Sequence, residues 1–289
     1  MKLRSLKGYK EQYILLSPYI FFLFFFYIGP MILTIILSFF KLEYLIVSTP
    51  EFIGFKNYES LAQDNIFLIA FKNSLFYILV MLPSIFIISL VIAEILLRIR
   101  KFKRIFMVIL IIPYIISYVI SSAIWRAMYM PSIGFLSDVF LKLFHRNINF
   151  LSKEYVILSI SLSHVWRDIG YFSLIFLSGL LSIPKEYYEA AKIDGAKSRQ
   201  TFFHITLPLL KPVIFLVVFM LIIYALFLFT SIFIISAGGP GYASTNLLWY
   251  AYQVGWVNYK FGYTCSILTV FFFLVITIYL IQKKLLGGT

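Results

Sequence analysis

The chain has 289 residues, of which 62% are apolar, 20% aromatic and only 13% charged, whereas soluble domains run near half apolar and about a quarter charged. Too little polar surface remains to coat a water-soluble body of this size, and a chain this apolar is not a disordered one. The net charge of +13 does not point to nucleic acid, because the basic residues fall in gaps between apolar runs instead of lining one soluble face. These features predict an all-α integral membrane protein.

A membrane-crossing helix needs about 20 mostly apolar residues, and six stretches qualify. The first, 12–40, contains the aromatic block 21–27 followed by Gly29-Pro30, a kink of the kind lipid-embedded helices tolerate. It is longer than a secretory h-region and no small-residue cleavage site follows, which argues against a signal peptide. Residues 51–64, EFIGFKNYESLAQD, predict a surface helix with its lead-in, used as scaffold or for contact with a binding protein. Spans two (73–97) and three (105–129) each carry an internal proline, Pro83 and Pro113; Glu94 and Arg98 are spaced for an ion pair at i, i+4. Span four, 155–183, is apolar except around His164, Arg167 and Asp168. The charge-free run 212–259 is too long for one helix, and Gly238-Gly239-Pro240-Gly241 cuts it. Span five is therefore 212–236 and span six 261–282. The aromatic loop between them, 237–260, is either a gate or a re-entrant segment. The single cysteine, Cys265, is read as packing.

Lysine and arginine near span ends set orientation. With the N-terminus inside, one face holds Lys2, Arg4, Lys7, Lys10, Arg98, Arg100, Lys101, Lys103, Arg104, Lys185, Lys192, Lys197, Arg199, Lys211, Lys283 and Lys284, which is 16 of the 25 basic residues. The opposite loops hold Lys41, Lys56, Lys142, Arg146, Lys153 and Lys260. Both termini are expected to be cytoplasmic.

The cytoplasmic stretch 184–211, PKEYYEAAKIDGAKSRQTFFHITLPLLK, is longer than a simple connector needs. Residues 185–193 lack glycine and proline, Pro184 suits a first turn, and Asp194-Gly195 supplies a stop. A second short helix over 196–204 should follow. Two short helices with a glycine elbow make a stiff projection: Ala190, Ala191 and Gly195 keep one side shallow, while Glu186, Glu189 and Asp194 offer acceptors to basic groups of another protein.

Glu189-Ala190-Ala191, with Gly195 and then Ile205, Leu207 and Pro208, resembles the EAA motif of the permease subunits of binding-protein-dependent ABC importers. Gly54-Phe55-Lys56-Asn57-Tyr58, Pro113-Tyr114, Trp125, and Gly238-Gly239-Pro240-Gly241 with Thr245 are similar to the first permease of the carbohydrate type, the maltose and glycerol-phosphate transporter group. The eight-span maltose permease has two further N-terminal spans and a large periplasmic domain that this sequence lacks. The resemblance implies a six-span type I importer fold, with the 184–211 loop docking on an ATPase through Glu186, Glu189, Ala190, Ala191, Asp194, Gly195, Ile205, Leu207 and Pro208. It also implies a second homologous permease, two ATPase subunits, an extracellular solute-binding protein, and a di- or oligosaccharide as cargo in a bacterial cell membrane.

Intramembrane charges usually face a bundle interior or a cavity. His164, Trp166, Arg167, Asp168 and Tyr171 therefore either line a substrate path or fix packing through an ion pair. Tyr118, Ser121, Ser122, Trp125 and Arg126 at the outer end of span three are further path candidates or interfacial anchors. The chain carries no Gly-x-x-x-x-Gly-Lys-Ser/Thr phosphate loop, so ATP and Mg²⁺ are expected on partner subunits, with no cofactor, metal or catalysis on this one. A secondary transporter should show internal repeats, and none is visible. A membrane-embedded enzyme should gather catalytic groups, yet the three histidines, His145, His164 and His204, are scattered.

Overall fold

A computed structural model describes residues 9–44, 49–99, 101–131, 133–145 and 148–287. Lys2, Arg4, Lys7, Arg100 and Arg146, which entered the orientation argument, lie outside the described residues. The chain divides into two compact units, 1–63 with 251–272, and 64–250 with 273–289.

In the first unit α1 (Tyr9–Leu23) and α2 (Gly29–Leu37) are joined by a π turn, Phe24–Ile28. Pro30 has no N–H to give, and the kink expected at Gly29-Pro30 takes the form of this wide turn, closed by Gly29 N–H donating to the Phe24 carbonyl. The resulting 26-residue apolar helix, Gln12–Leu37, buries none of its central window within the chain. A two-residue ribbon follows, β1 (Phe40–Lys41) antiparallel to β2 (Glu51–Phe52), and then the surface helix α3 (Lys56–Gln63). Asn57 donates to the carbonyls of Ser38 at 2.8 Å and Phe40 at 3.0 Å, tying α3 to the end of α2.

The second unit begins with α4 (Asn65–Arg98), 34 residues long. It starts earlier than the apolar run because the Asp64 carboxylate accepts from the N–H groups of Ile66 and Phe67 and caps it. After α4 come α5 (Lys103–Ile115), α6 (Tyr118–Tyr129), α7 (Phe135–Phe144) and α8 (Val156–Ser182). Next are α9 (Lys185–Ile193), α10 (Ser198–Thr201), a π turn at Phe202–Thr206, α11 (Leu207–Leu209), α12 (Lys211–Leu226) and α13 (Thr230–Ile235). The chain closes with α14 (Leu247–Tyr252), a π turn at Gln253–Val257, and α15 (Phe261–Leu286), the last two helices running across the unit boundary.

Among the described residues four stretches are long and apolar enough to cross a membrane, Gln12–Leu37, Asn65–Arg98, Lys211–Ile235 and Phe261–Leu286; α5 with α6 makes a fifth if that bent pair counts as one span. The remaining long helix, α8, has 27 residues, about 40 Å at 1.5 Å per residue. Two predicted spans differ from straight rods. Span three bends by 90° between α5 and α6: Pro113 removes a ladder donor, Ile116 turns extended, and Ser117 restarts the helix by accepting from Ile120 N–H. Span five breaks at 227–229, where Asn246 donates to the Leu228 carbonyl at 2.6 Å and supplies the partner the helix lacks there. The second helix of the 184–211 loop is also shorter than expected, passing into the π turn at Phe202.

The core of this unit is the packing of α4 on α8. Tyr77, Met81 and Ile85 are fully buried on α4, as are Phe172 and Phe176 on α8; Phe86 meets Phe176 edge-on at 5.2 Å. The stretch after α13 folds back against α4. Asn73 donates to the carbonyls of Tyr242, Ala243 and Thr245, Tyr77 to that of Ser244, and Ser74 accepts from Leu247 N–H. Ser244, Thr245, Asn246 and Leu247 are thereby wholly buried, so this half of the aromatic loop is a fixed inward-folded segment and not a surface strap.

Helices α5 and α8 approach so closely at Gly170 that a Cβ there would lie 1.8 Å from the Leu110 carbonyl oxygen. Gly170→Val should therefore separate the two helices, costing about 1–3 kcal/mol or more by the usual scale of overpacking. Thermal unfolding of the detergent-solubilised chain checks it, and an unchanged melting temperature would show that the contact is not close.

Candidate functional site

The charged residues of α8 form one buried network. Asp168 is fully buried and accepts from Arg167 Nη1 at 2.6 Å, with His164 Nδ1 3.4 Å from its other oxygen. Ser122 donates to Ser231 at 3.0 Å, and Ser231 Oγ lies 2.8 Å from His164 Nε2. Read as a donor chain, Ser122 to Ser231 to His164 to Asp168, this places the ring proton of His164 on Nδ1. Arg167 does more than pair. Its Nη2 donates to the Tyr114 carbonyl at 2.9 Å and its Nε to that of Ile116 at 3.4 Å. These are carbonyls left open where α5 ends, and a cation at a helix C-terminus is favourable. The guanidinium also sits 3.7 Å from the Tyr118 ring centre and 4.8 Å from that of Tyr114. The bend in span three and the charge in span four are thus one construction.

Beside this network lies a cavity of about 330 Å³, lined by Tyr118, His164, Tyr224, Thr230, Ser231 and the apolar side chains of Ile223 and 227–229. Among the described residues, none of those that line it is Lys, Arg, Asp or Glu. Of the path candidates, Tyr118 and His164 reach the cavity, 5.5 Å apart between ring centres. The others stand behind it. Tyr171 stacks on Tyr114 at 4.2 Å, and Tyr114 shares a 3.1 Å hydrogen bond with the lining residue Tyr224. Trp166 meets Trp125 edge-on at 5.7 Å, Ser121 is buried, and Arg126 donates to the Ile234 carbonyl. Sequence reasoning missed Tyr224, Thr230 and Ser231, because the break at 227–229 that opens the wall depends on Asn246, distant in sequence.

The projection over 184–211 is built around its stop. Gly195 has φ +74°, its N–H donates to the Lys192 carbonyl at 3.2 Å, and Ala196 N–H reaches back to Ala191 at 2.9 Å. This pair of bonds is the Schellman ending, which needs a residue in the left-handed region. Tyr188 on α9 shares a 3.2 Å hydrogen bond with Thr206, so helix and returning chain are clamped together. Glu186, Glu189, Ala190 and Asp194 are exposed while Ala191 is buried; Ile205 and Leu207 are half-buried and Pro208 is exposed. The outer surface also presents apolar groups that sequence reasoning missed: Ile193 is 86% exposed, and Tyr187 and Phe203 are each 51% exposed.

Long apolar helices, a largely apolar cavity with a few hydroxyl and imidazole groups in its wall, and a clamped helical projection define a multi-pass membrane transport subunit. Residues 12–286 match the family described as binding-protein-dependent transport system inner membrane component, and the chain belongs to that family. It is 30% identical over 282 residues to the probable ABC transporter permease protein YurN of Bacillus subtilis (strain 168), covering 94% of each chain. To the arabinooligosaccharides transport system permease protein AraP of the same organism it is 31% identical, covering 96% of this chain and 88% of that one. The sn-glycerol-3-phosphate transport system permease protein UgpA of Yersinia pestis is 29% identical, with 81% and 80% covered. Among solved structures, a bacterial ABC transporter that imports the acidic polysaccharide alginate matches with a TM-score of 0.83 at 22% identity, covering 98% of both chains, which establishes the shared fold.

Proposed function

We propose that this chain forms half of the translocation path of an ATP-driven sugar importer in a bacterial cell membrane. A second, homologous permease completes the path, two ATPase subunits dock on the 184–211 projection from the cytoplasm, and an extracellular solute-binding protein delivers the cargo. Both termini then lie inside, and ATP and Mg²⁺ are held by the ATPase pair. The observation that carries the reading is the projection: a stopped, clamped helix exposing Glu186, Glu189, Ala190 and Asp194 beside Ile193. Carboxylates flanking a bare apolar tip suit an anchored, charge-steered contact. Closure of the ATPase pair moves this projection as a rigid lever and rocks the spans.

An uncharged di- or oligosaccharide fits the cavity best. Its wall offers hydroxyls and aromatic faces, and the nearby cation Arg167 is already engaged by Asp168 and two carbonyls. The relatives named for arabinooligosaccharides and for glycerol phosphate bracket the choice; a phosphorylated or acidic cargo would need cations this wall does not carry.

Two substitutions separate the roles. Ile193→Asp should weaken retention of the ATPase by about tenfold or more, as loss of a docking anchor does, while the chain still inserts. Thr230→Trp should fill the cavity and lower sugar uptake by about tenfold or more, the effect of losing about 1.4 kcal/mol of transition-state binding, with the ATPase still retained. Full uptake by the Thr230→Trp complex would remove the cavity from the path.

A further inference from the structure

Two further cavities meet around the end of α4. The larger, of about 430 Å³, is polar: Glu94 and Arg98 come from α4, Tyr188 and Lys192 from α9, and Ser198 and Thr201 from α10. The smaller, of about 260 Å³, is walled by Leu90, Val91 and Ile95 of α4, and the two share Glu94, Arg98 and Phe202. Leu90 precedes Glu94 by one helical turn, about 6 Å at 1.5 Å per residue, so the apolar cavity runs from the polar one back along the span. No charged residue occurs over 73–93; Glu94 therefore marks the level where the span gives way to water. Val91 and Ile95 are each 52% exposed, which leaves the apolar cavity open sideways at membrane depth. Arg98 reaches Glu94 only at 3.9 Å and its side chain is 79% exposed, a pair worth little that a ligand can rearrange. Lys192 has no carboxylate partner among the described residues.

A polar chamber of ligand-binding size with two cations, one carboxylate and several hydroxyls, continued by an apolar groove at membrane depth, suits an amphiphile whose head carries both charges. We propose that these cavities hold one zwitterionic phospholipid with a primary amine, phosphatidylethanolamine, from the leaflet on the side of the 184–211 projection. The phosphate lies on Lys192 and Arg98, the ammonium on Glu94, and an acyl chain along Leu90, Val91 and Ile95. Basic pockets between membrane helices at such a level take lipid head groups, and here the carboxylate selects among them. A head without a cation leaves Glu94 facing an anion, and a quaternary ammonium has no N–H to donate to it. Because Glu94 belongs to α4 and Lys192 to α9, the head group ties the membrane core to the projection. Lipid retention is read on the chain itself without any ATPase, so its failure would leave the importer reading standing.

The test is native mass spectrometry of the protein, purified with whatever subunits accompany it and titrated with phosphatidylethanolamine, phosphatidylcholine or phosphatidylglycerol. One phosphatidylethanolamine per chain should be retained in preference to the other two lipids. Lys192→Gln should weaken retention about fivefold, the equivalent of about 1 kcal/mol per basic residue at such a surface. Glu94→Gln should abolish the preference for phosphatidylethanolamine over phosphatidylglycerol, because the group that reads the amine is gone. Lys185→Gln, on α9 but outside the cavity, should leave affinity unchanged. A photo-crosslinking residue at Val91, read in the otherwise unaltered protein, should capture phosphatidylethanolamine; this arm stands even if a charge variant does not fold. Equal retention of the three lipids, equal loss in Lys185→Gln and Lys192→Gln, an unaltered preference in Glu94→Gln, displacement by soluble phosphoethanolamine, or capture of a protein segment instead of lipid at Val91 would each overturn the proposal. The last two results would assign the cavities to a soluble zwitterion or to a helix of another subunit.

Discussion

Asp168→Asn is expected to unfold the permease core. The carboxylate is fully buried and compensates Arg167, itself 6% exposed. Removing one partner of a buried pair strands the other, at about 3–5 kcal/mol. That is a large share of the roughly 5–15 kcal/mol by which domains are stable. The variant should fail to remain monodisperse in detergent or should melt far below the unaltered chain. Replacing both charges, as Arg167→Leu with Asp168→Leu, should recover most of the loss, because no isolated charge remains. Recovery should stop short of full stability: the Tyr114 and Ile116 carbonyls lose their donor, at about 1 kcal/mol each by the usual net value of a hydrogen bond. The expected order of melting temperatures is therefore unaltered chain, double variant, single variant. If Asp168→Asn melts within a degree or two of the unaltered chain, the network contributes nothing to packing.

Gly195→Val should separate folding from coupling. At φ +74° a β-branched residue is strained, so the Schellman ending is lost and α9 frays at its last turn. No atom lies within 4 Å of the Cβ position, so the substitution causes no clash in the core. Insertion and melting should change little, while retention of the ATPase falls by about tenfold or more through loss of the preorganised docking surface and sugar uptake disappears. Gly195→Ala should do the same more weakly, at about 1 kcal/mol for the left-handed backbone. Glu189→Lys, which leaves the backbone alone and reverses an exposed charge, should match Gly195→Val in docking if α9 meets a basic surface. Normal co-purification of the ATPase with both Gly195→Val and Glu189→Lys would show that the projection is not the docking element.

Local chemistry made much of this legible in the sequence. Helix α9 and its stop follow from a glycine-free, proline-free run ended by Asp194-Gly195, because propensity and cap signals agree there. Apolar length was enough to mark the long helices, but their interruptions were not readable in the same way. Pro113 announced a disturbance in span three without its 90° size, which depends on Arg167 arriving from α8 to satisfy the carbonyls of Tyr114 and Ile116. The break at 227–229 has no proline or glycine at all, and it stands because Asn246 meets the Leu228 carbonyl. For the same reason the cavity wall was only half visible. Tyr118 and His164 stood out as polar groups in apolar spans, whereas Tyr224, Thr230 and Ser231 become wall residues only through that long-range contact.

The central question is whether this chain acts as the membrane half of a larger machine. The most direct measurement is to purify it from detergent-solubilised membranes, identify what accompanies it, and assay ATP turnover with and without a sugar-loaded binding protein. A second permease and an ATPase should be recovered, with turnover raised by the loaded binding protein and lost in Gly195→Val. A chain that purifies alone and moves solute without ATP would contradict the role assigned to the projection and, with it, the importer.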